Sequence, residues 1–131
     1  MNWNDVRLEL ARTRDFPEGS ASRAYLLRLP LDDSGAIDLA AIRSAPGHAT
    51  VRRFWPNERD RRGRIVATPD GWAVRYDPGD AEDDALYRLE TESVRLGAEI
   101  QVTEPDGRRL PFRVAGLTAP QRRGGPSRRL R

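Results

Sequence analysis

The amino-acid sequence predicts a mainly β domain: a small antiparallel β-barrel or strongly curved sheet of about eight strands with one short helix, followed by a disordered C-terminal tail. Three observations carry that expectation. Apolar and polar residues alternate with period two in several stretches, the spacing that turns one face of a strand toward a core and the other toward water. Two further stretches share the order strand, Pro-Asp-Gly, strand. Beyond Leu117 hydrophobic periodicity stops.

Taken in order, Val6, Leu8 and Leu10 alternate with Arg7 and Glu9, which predicts a half-buried strand over residues 4–13. Phe16-Pro17-Glu18-Gly19-Ser20 reads as a loop, and the apolar, aromatic residues 23–29 as a second strand pairing back on the first. Asp32-Asp33-Ser34-Gly35 makes a turn. Residues 37–43 hold the one helical spacing, with Leu39 and Ile42 three apart and Asp38 placed to cap the start, so a short helix should end before Pro46-Gly47. Residues 49–55 return to strand, with Val51, Arg53 and Trp55 on one face, Arg52 and Phe54 on the other, and Pro56 as terminator.

Residues 65–76 and 100–114 are read as two β-hairpins. Proline presets φ at the first turn position, aspartate suits the second, and glycine accepts positive φ, the chemistry of a type I turn followed by a bulge. Between them lie an acidic loop over 77–84, a strand over 85–90 and a bend over 93–99. The run Val94-Arg95-Leu96-Gly97-Ala98-Glu99-Ile100-Gln101-Val102, followed by Asp106-Gly107 and Phe112-Arg113-Val114, resembles a pattern spread through many small β-barrels; it implies that fold and carries no activity. Residues 1–118 then form one β-rich domain and 119–131 a basic tail with too little apolar surface to offset its ordering entropy. Rolling the sheet removes exposed edges, which favours a barrel or curved sheet over the alternative, a two-sheet sandwich.

Composition excludes whole mechanisms. All 23 basic residues are arginine, so no lysine is available for a Schiff base, a general base or a phosphate loop. No cysteine is present, which removes thiolate nucleophiles, disulfides and cysteine-ligated metals. The arginine bias goes with abundant alanine, glycine and proline, as GC-rich codon usage produces, and is not itself a signal for phosphate binding. Position matters more than number: residues 120–131 carry five arginines and no acid, whereas the preceding 119 residues carry 18 arginines against 20 acids. The basic pI belongs to the tail. No leader-like segment and no apolar run of membrane-spanning length occur, so the expected location is cytoplasmic, with no membrane partner and no cofactor.

The leading expectation is a binding or interaction module that contacts nucleic acid or an acidic partner through arginine-rich surface. Its candidate residues are Arg52, Arg53, Trp55, Arg59, Arg61, Arg62 and Arg64, with Arg122, Arg123, Arg128 and Arg129 of the tail. Guanidinium forks pair with phosphates and aromatic faces stack bases, although Glu58 and Asp60 are placed to pair with neighbouring arginines and Trp55 or Phe54 belongs to the core. Trp3, Tyr25, Trp72 and Tyr76 read as core or cross-strand partners. The alternative is a small hydrolase using carboxylates, with or without a divalent metal. Glu90 and Glu92 would share a strand face, and His48 is the only imidazole for acid-base work. Asp77, Asp80, Glu82, Asp83 and Asp84 offer oxygen ligands for a hard cation, though their spacing misses the EF-hand pattern and a solvated loop is the stronger reading.

Overall fold

A computed structural model describes residues 2–69, 71–76, 86–87, 89–90 and 93–118. These form nine strands and one helix: β1 (Asn2–Leu10), β2 (Ser20–Leu31), α1 (Leu39–Ser44), β3 (Thr50–Phe54), β4 (Arg61–Thr68), β5 (Gly71–Tyr76), β6 (Leu86–Tyr87), β7 (Leu89–Glu90), β8 (Glu99–Thr103) and β9 (Arg109–Thr118). Seven have five residues or more, and β6 and β7 have two each. All pairings are antiparallel and lie in one sheet, in the order β6-β5-β4-β3-β2-β1-β9-β8-β7.

That order dictates the shape. Laid flat, nine strands about 4.8 Å apart would put β6 and β7 nearly 40 Å from one another. Yet Tyr87 at one end of the order and Leu89 at the other are two residues apart, a reach of about 7 Å. The sheet must therefore curl round on itself, and it does so as a barrel-like sheet rather than as the sandwich.

The alternation predicted for β1 holds, with Val6 and Leu8 fully buried; that strand ends at Leu10 instead of continuing to Thr13, and β2 is longer than expected at both ends. Inside the curl lie Val6, Leu8, Leu27, Leu29, Val51, Ile65, Trp72, Val74, Ile100, Val102, Phe112 and Val114. Where Arg7 and Leu8 meet Gly116 and Val114, β9 inserts the extra residue Ala115. This bulge resets the alternation so that Val114 and Leu117 both turn inward. Helix α1 packs against β2 and β4 and buries Ala41 and Ile42; Asp38 caps it as expected, its side chain accepting from the Ala41 N–H at 3.0 Å.

Both hairpins form. The first closes with Thr68 opposite Gly71, Asp70 between them lying outside the described residues. The second closes around Pro105-Asp106-Gly107: the Glu104 N–H donates to the Arg108 carbonyl at 2.7 Å and Gly107 adopts φ 92°. The acidic loop over 77–84 and the tail over 119–131 also lie outside the described residues. Among the described residues no helix is long and apolar enough to cross a membrane.

Gly63 explains the spacing of two arginines. It faces the interior between Val51 and Tyr76, and a Cβ there would stand 2.4 Å from the Arg75 carbonyl oxygen and 2.7 Å from the Tyr76 Cα. Only glycine allows β4 and β5 to meet at this point, and its inward position sends Arg62 and Arg64 outward. Gly63→Ala should therefore lower stability by about 1–3 kcal/mol in urea unfolding. Gly116→Ala, whose Cβ would meet only the Arg7 Cβ at 3.5 Å, should be neutral or stabilise by about 0.5 kcal/mol.

Candidate functional site

The run Val51-Arg52-Arg53-Phe54 distributes its arginines to opposite sides of the sheet. Val51 and Arg53 share the inner face with Tyr25, whereas Arg52 and Phe54 point out. Arg53 thus enters the interior, where its side chain is 6% exposed, and it needs a partner because an isolated buried charge is prohibitively costly. The partner is Glu104, 1% exposed, carried inward by the alternation Ile100, Val102, Glu104 and held by the turn that follows.

Each nitrogen of the Arg53 guanidinium and each oxygen of Glu104 makes a hydrogen bond. Arg53 donates from Nη2 and Nε to Glu104 Oε1 at 2.8 and 3.1 Å, and from Nη1 to Glu58 Oε1 at 2.9 Å. Glu104 Oε2 accepts from the Tyr25 hydroxyl at 2.7 Å. Tyr76 shares a hydrogen bond with Tyr25. Aromatic rings line the cluster: the Arg53 guanidinium lies 4.1 Å from the Trp55 ring centroid, Tyr25 meets Phe112 edge-on at 5.2 Å, and Arg23 sits 4.1 Å from Phe16 and 5.8 Å from Trp55. Arg61 extends this end of the barrel over Tyr76 at 5.3 Å.

Titration follows from these contacts. Burial pushes the Tyr25 hydroxyl far above the ordinary tyrosine range, reinforced by Tyr76 and Glu104, and burial pushes Tyr76 up to about 12. Burial alone would lower Arg53, but the hydrogen bonds to Glu104 and Glu58 prevail and raise it. These bonds tie β2, β3 and the β8–β9 hairpin together across the interior.

The outer face of β2 to β5 is different. Register places Arg52 directly opposite Arg62 across β3–β4, and Arg64 directly opposite Arg75 across β4–β5. Arg28 lies in the same row as Arg64, separated by Thr50. Some of these charges are compensated, Arg28 by Asp5 at 3.1 Å and Arg52 by Asp60 at 3.5 Å. Among the described residues Arg62 and Arg64 form no ion pair, and both are exposed. Arg52 also lies 5.0 Å from the Phe54 ring centroid, and the neighbouring Leu26 is 37% exposed.

The residues singled out by sequence therefore separate. Arg53 and Trp55 belong to the inner cluster, Arg61 to its rim, and Arg52, Arg62 and Arg64 to the outer face; Arg59 is exposed in the loop between β3 and β4. Arg122, Arg123, Arg128 and Arg129 lie outside the described residues, as do Glu92 and Asp77, Asp80, Glu82, Asp83 and Asp84. Glu90 pairs through its backbone with Gln101 in β8. His48 is exposed beside Trp3, ring centroids 6.0 Å apart, and among the described residues no carboxylate is bonded to its ring. No group of three or more potential metal ligands occurs among the described residues. Glu104 and Arg75 were not singled out. The signal for Glu104 was present, an acid in phase with Ile100 and Val102, whereas Arg75 required the β4–β5 register.

Compared with protein-family models, curated proteins and solved structures, the chain matches none of them.

Glu104→Gln should cost about 3 kcal/mol in urea unfolding, because it removes the buried counter-charge of Arg53 and leaves only the half-exposed Glu58. Alkaline pH provides a separate check. Folding holds the Tyr25 and Tyr76 protons above the ordinary value of 10.0, so their contribution is complete below pH 10 and is lost as pH rises. Between pH 10 and 12 stability should fall by about 1.4 kcal/mol per pH unit for each tyrosine, and Tyr76→Phe should remove one of the two contributions.

Proposed function

We propose that the chain is a non-enzymatic binding module for nucleic acid, and that the outer face of β2 to β5 is its contact surface. The observation that carries this reading is the pair of cross-strand arginine couples, Arg52 with Arg62 and Arg64 with Arg75. Side chains directly opposite in an antiparallel pair have Cβ atoms about 5 Å apart, and like charges there are destabilising. A phosphate between two guanidinium forks reverses that sign, since each fork offers two parallel donors to the anion.

Spacing supports the same reading. The two couples are two residues apart along β4, about 6.6–6.8 Å, comparable to the step between successive phosphates of a nucleic-acid backbone. Arg62 and Arg64, unpaired among the described residues, lead the contact; Arg28 and Arg52 would exchange surface carboxylates for phosphate. Such exposed ion pairs are worth only about 0–1 kcal/mol and oppose the exchange weakly. The five arginines of the tail add to the positive charge.

Binding to single-stranded RNA and to duplex DNA, measured by fluorescence anisotropy at several salt concentrations, tests this. Affinity should fall linearly with the logarithm of salt concentration, and Arg62→Ala combined with Arg64→Ala should reduce the slope by about 2 while leaving the fold intact. A chain ending at Ala119 separates the sheet from the tail: retention of the Arg62 and Arg64 effect places the contact on the sheet. Absence of salt-sensitive binding in all forms would exclude the reading.

A further inference from the structure

Resting on that nucleic-acid reading, we infer that the ligand is a single strand whose phosphates follow Arg62, Arg64 and Arg75 and whose bases turn toward Phe54 and Leu26. The outer face is asymmetric across the strands. Its β4 and β5 side presents Arg62, Arg64 and Arg75, with no carboxylate bonded to them among the described residues. The β2 and β3 side carries Arg28 and Arg52, each paired with a carboxylate, and adds apolar surface: Leu26 directly opposite Arg52, and Phe54 beneath the Arg52 guanidinium. Leu26 is one of the two large apolar residues most exposed among the described residues. Phe54 stands apart from the buried core, which already holds the aromatic rings of Tyr25, Trp72 and Phe112. It is an aromatic ring on the charged face with no packing role in the interior.

The separation between the two strips fits one nucleotide laid crosswise. Leu26 lies in the row of Arg62, two strand spacings or about 10 Å away, and Phe54 lies one spacing across and two residues along from Arg62, about 8 Å, the reach from a phosphate across its sugar to the base. Guanidinium planes and phenyl rings both stack bases without regard to sequence. A duplex satisfies neither strip as well. Its bases are already stacked, and its second row of phosphates would fall toward β1, three spacings or about 14 Å from β4. There the outer face carries Asp5 and Glu9, the latter shared between Arg7 at 2.8 Å and Arg113 at 3.7 Å. The curl of the sheet also carries β1 away from a straight rod.

The test compares a labelled oligothymidine with a duplex of the same length at near-physiological salt, using the full chain. The single strand should bind more tightly than the duplex. Phe54→Ala should weaken single-strand binding roughly tenfold, leave duplex binding unchanged and keep the unfolding midpoint, while Phe54→Trp should restore single-strand affinity. Equal or tighter binding of the duplex, or a Phe54→Ala effect that is absent or the same for both probes, overturns this inference alone. Failure of both probes to bind in a salt-sensitive manner overturns it together with the nucleic-acid reading.

Discussion

Arg53 and Glu104 are 51 positions apart in the chain and 2.8 Å apart in space, and one end of the barrel is arranged around them. Two charges removed from water are tolerated only when their geometry is good and their remaining donors and acceptors are filled. Here Tyr25 takes the second oxygen of Glu104, Glu58 takes the outermost nitrogen of Arg53, and Trp55 covers the guanidinium plane. The requirement that all these partners be met at once fixes the β8–β9 turn against β2 and β3. A slip of one residue in β3 would bring Arg52 inside, remove Arg53 from Glu104 and reverse the outer face.

That coupling links the interior to the surface. Because Arg53 must be inside, Arg52 and Phe54 must be outside; because Gly63 must be inside, Arg62 and Arg64 must be outside. The cross-strand arginine couples are thus the outward image of a register set by the core. The sheet holds these arginines on paired strands, Arg52 on β3, Arg62 and Arg64 on β4 and Arg75 on β5.

Much of the fold was legible along the chain. Period two identified β1 and β3, the capping aspartate and apolar spacing identified α1, and the Pro-Asp-Gly turns identified both hairpins, because each depends on residues close in sequence. The ends of β2 and the Ala115 bulge were not legible, since they depend on which strand lies alongside. The role of Arg53 was half legible: alternation placed it with Val51 and Trp55, but an arginine in an arginine-rich run also reads as surface until its acid is known. That acid, Glu104, sits on the far side of the second hairpin.

The sequence by itself determined the class of fold, the strand periodicity, the turn chemistry and the absence of lysine and cysteine mechanisms, all consequences of local stereochemistry and of which functional groups exist. Only the tertiary structure decided which arginines are inside and paired and which stand opposite one another on the surface. Those relations follow from strand order and register, which bring together β2, β3, β4 and β5 outside and residues 53 and 104 inside. Charge counted along the chain describes a mildly basic protein. Charge placed on the curled sheet describes a neutralised interior cluster and a row of outward guanidinium groups, because strand pairing sorts neighbouring arginines onto opposite faces.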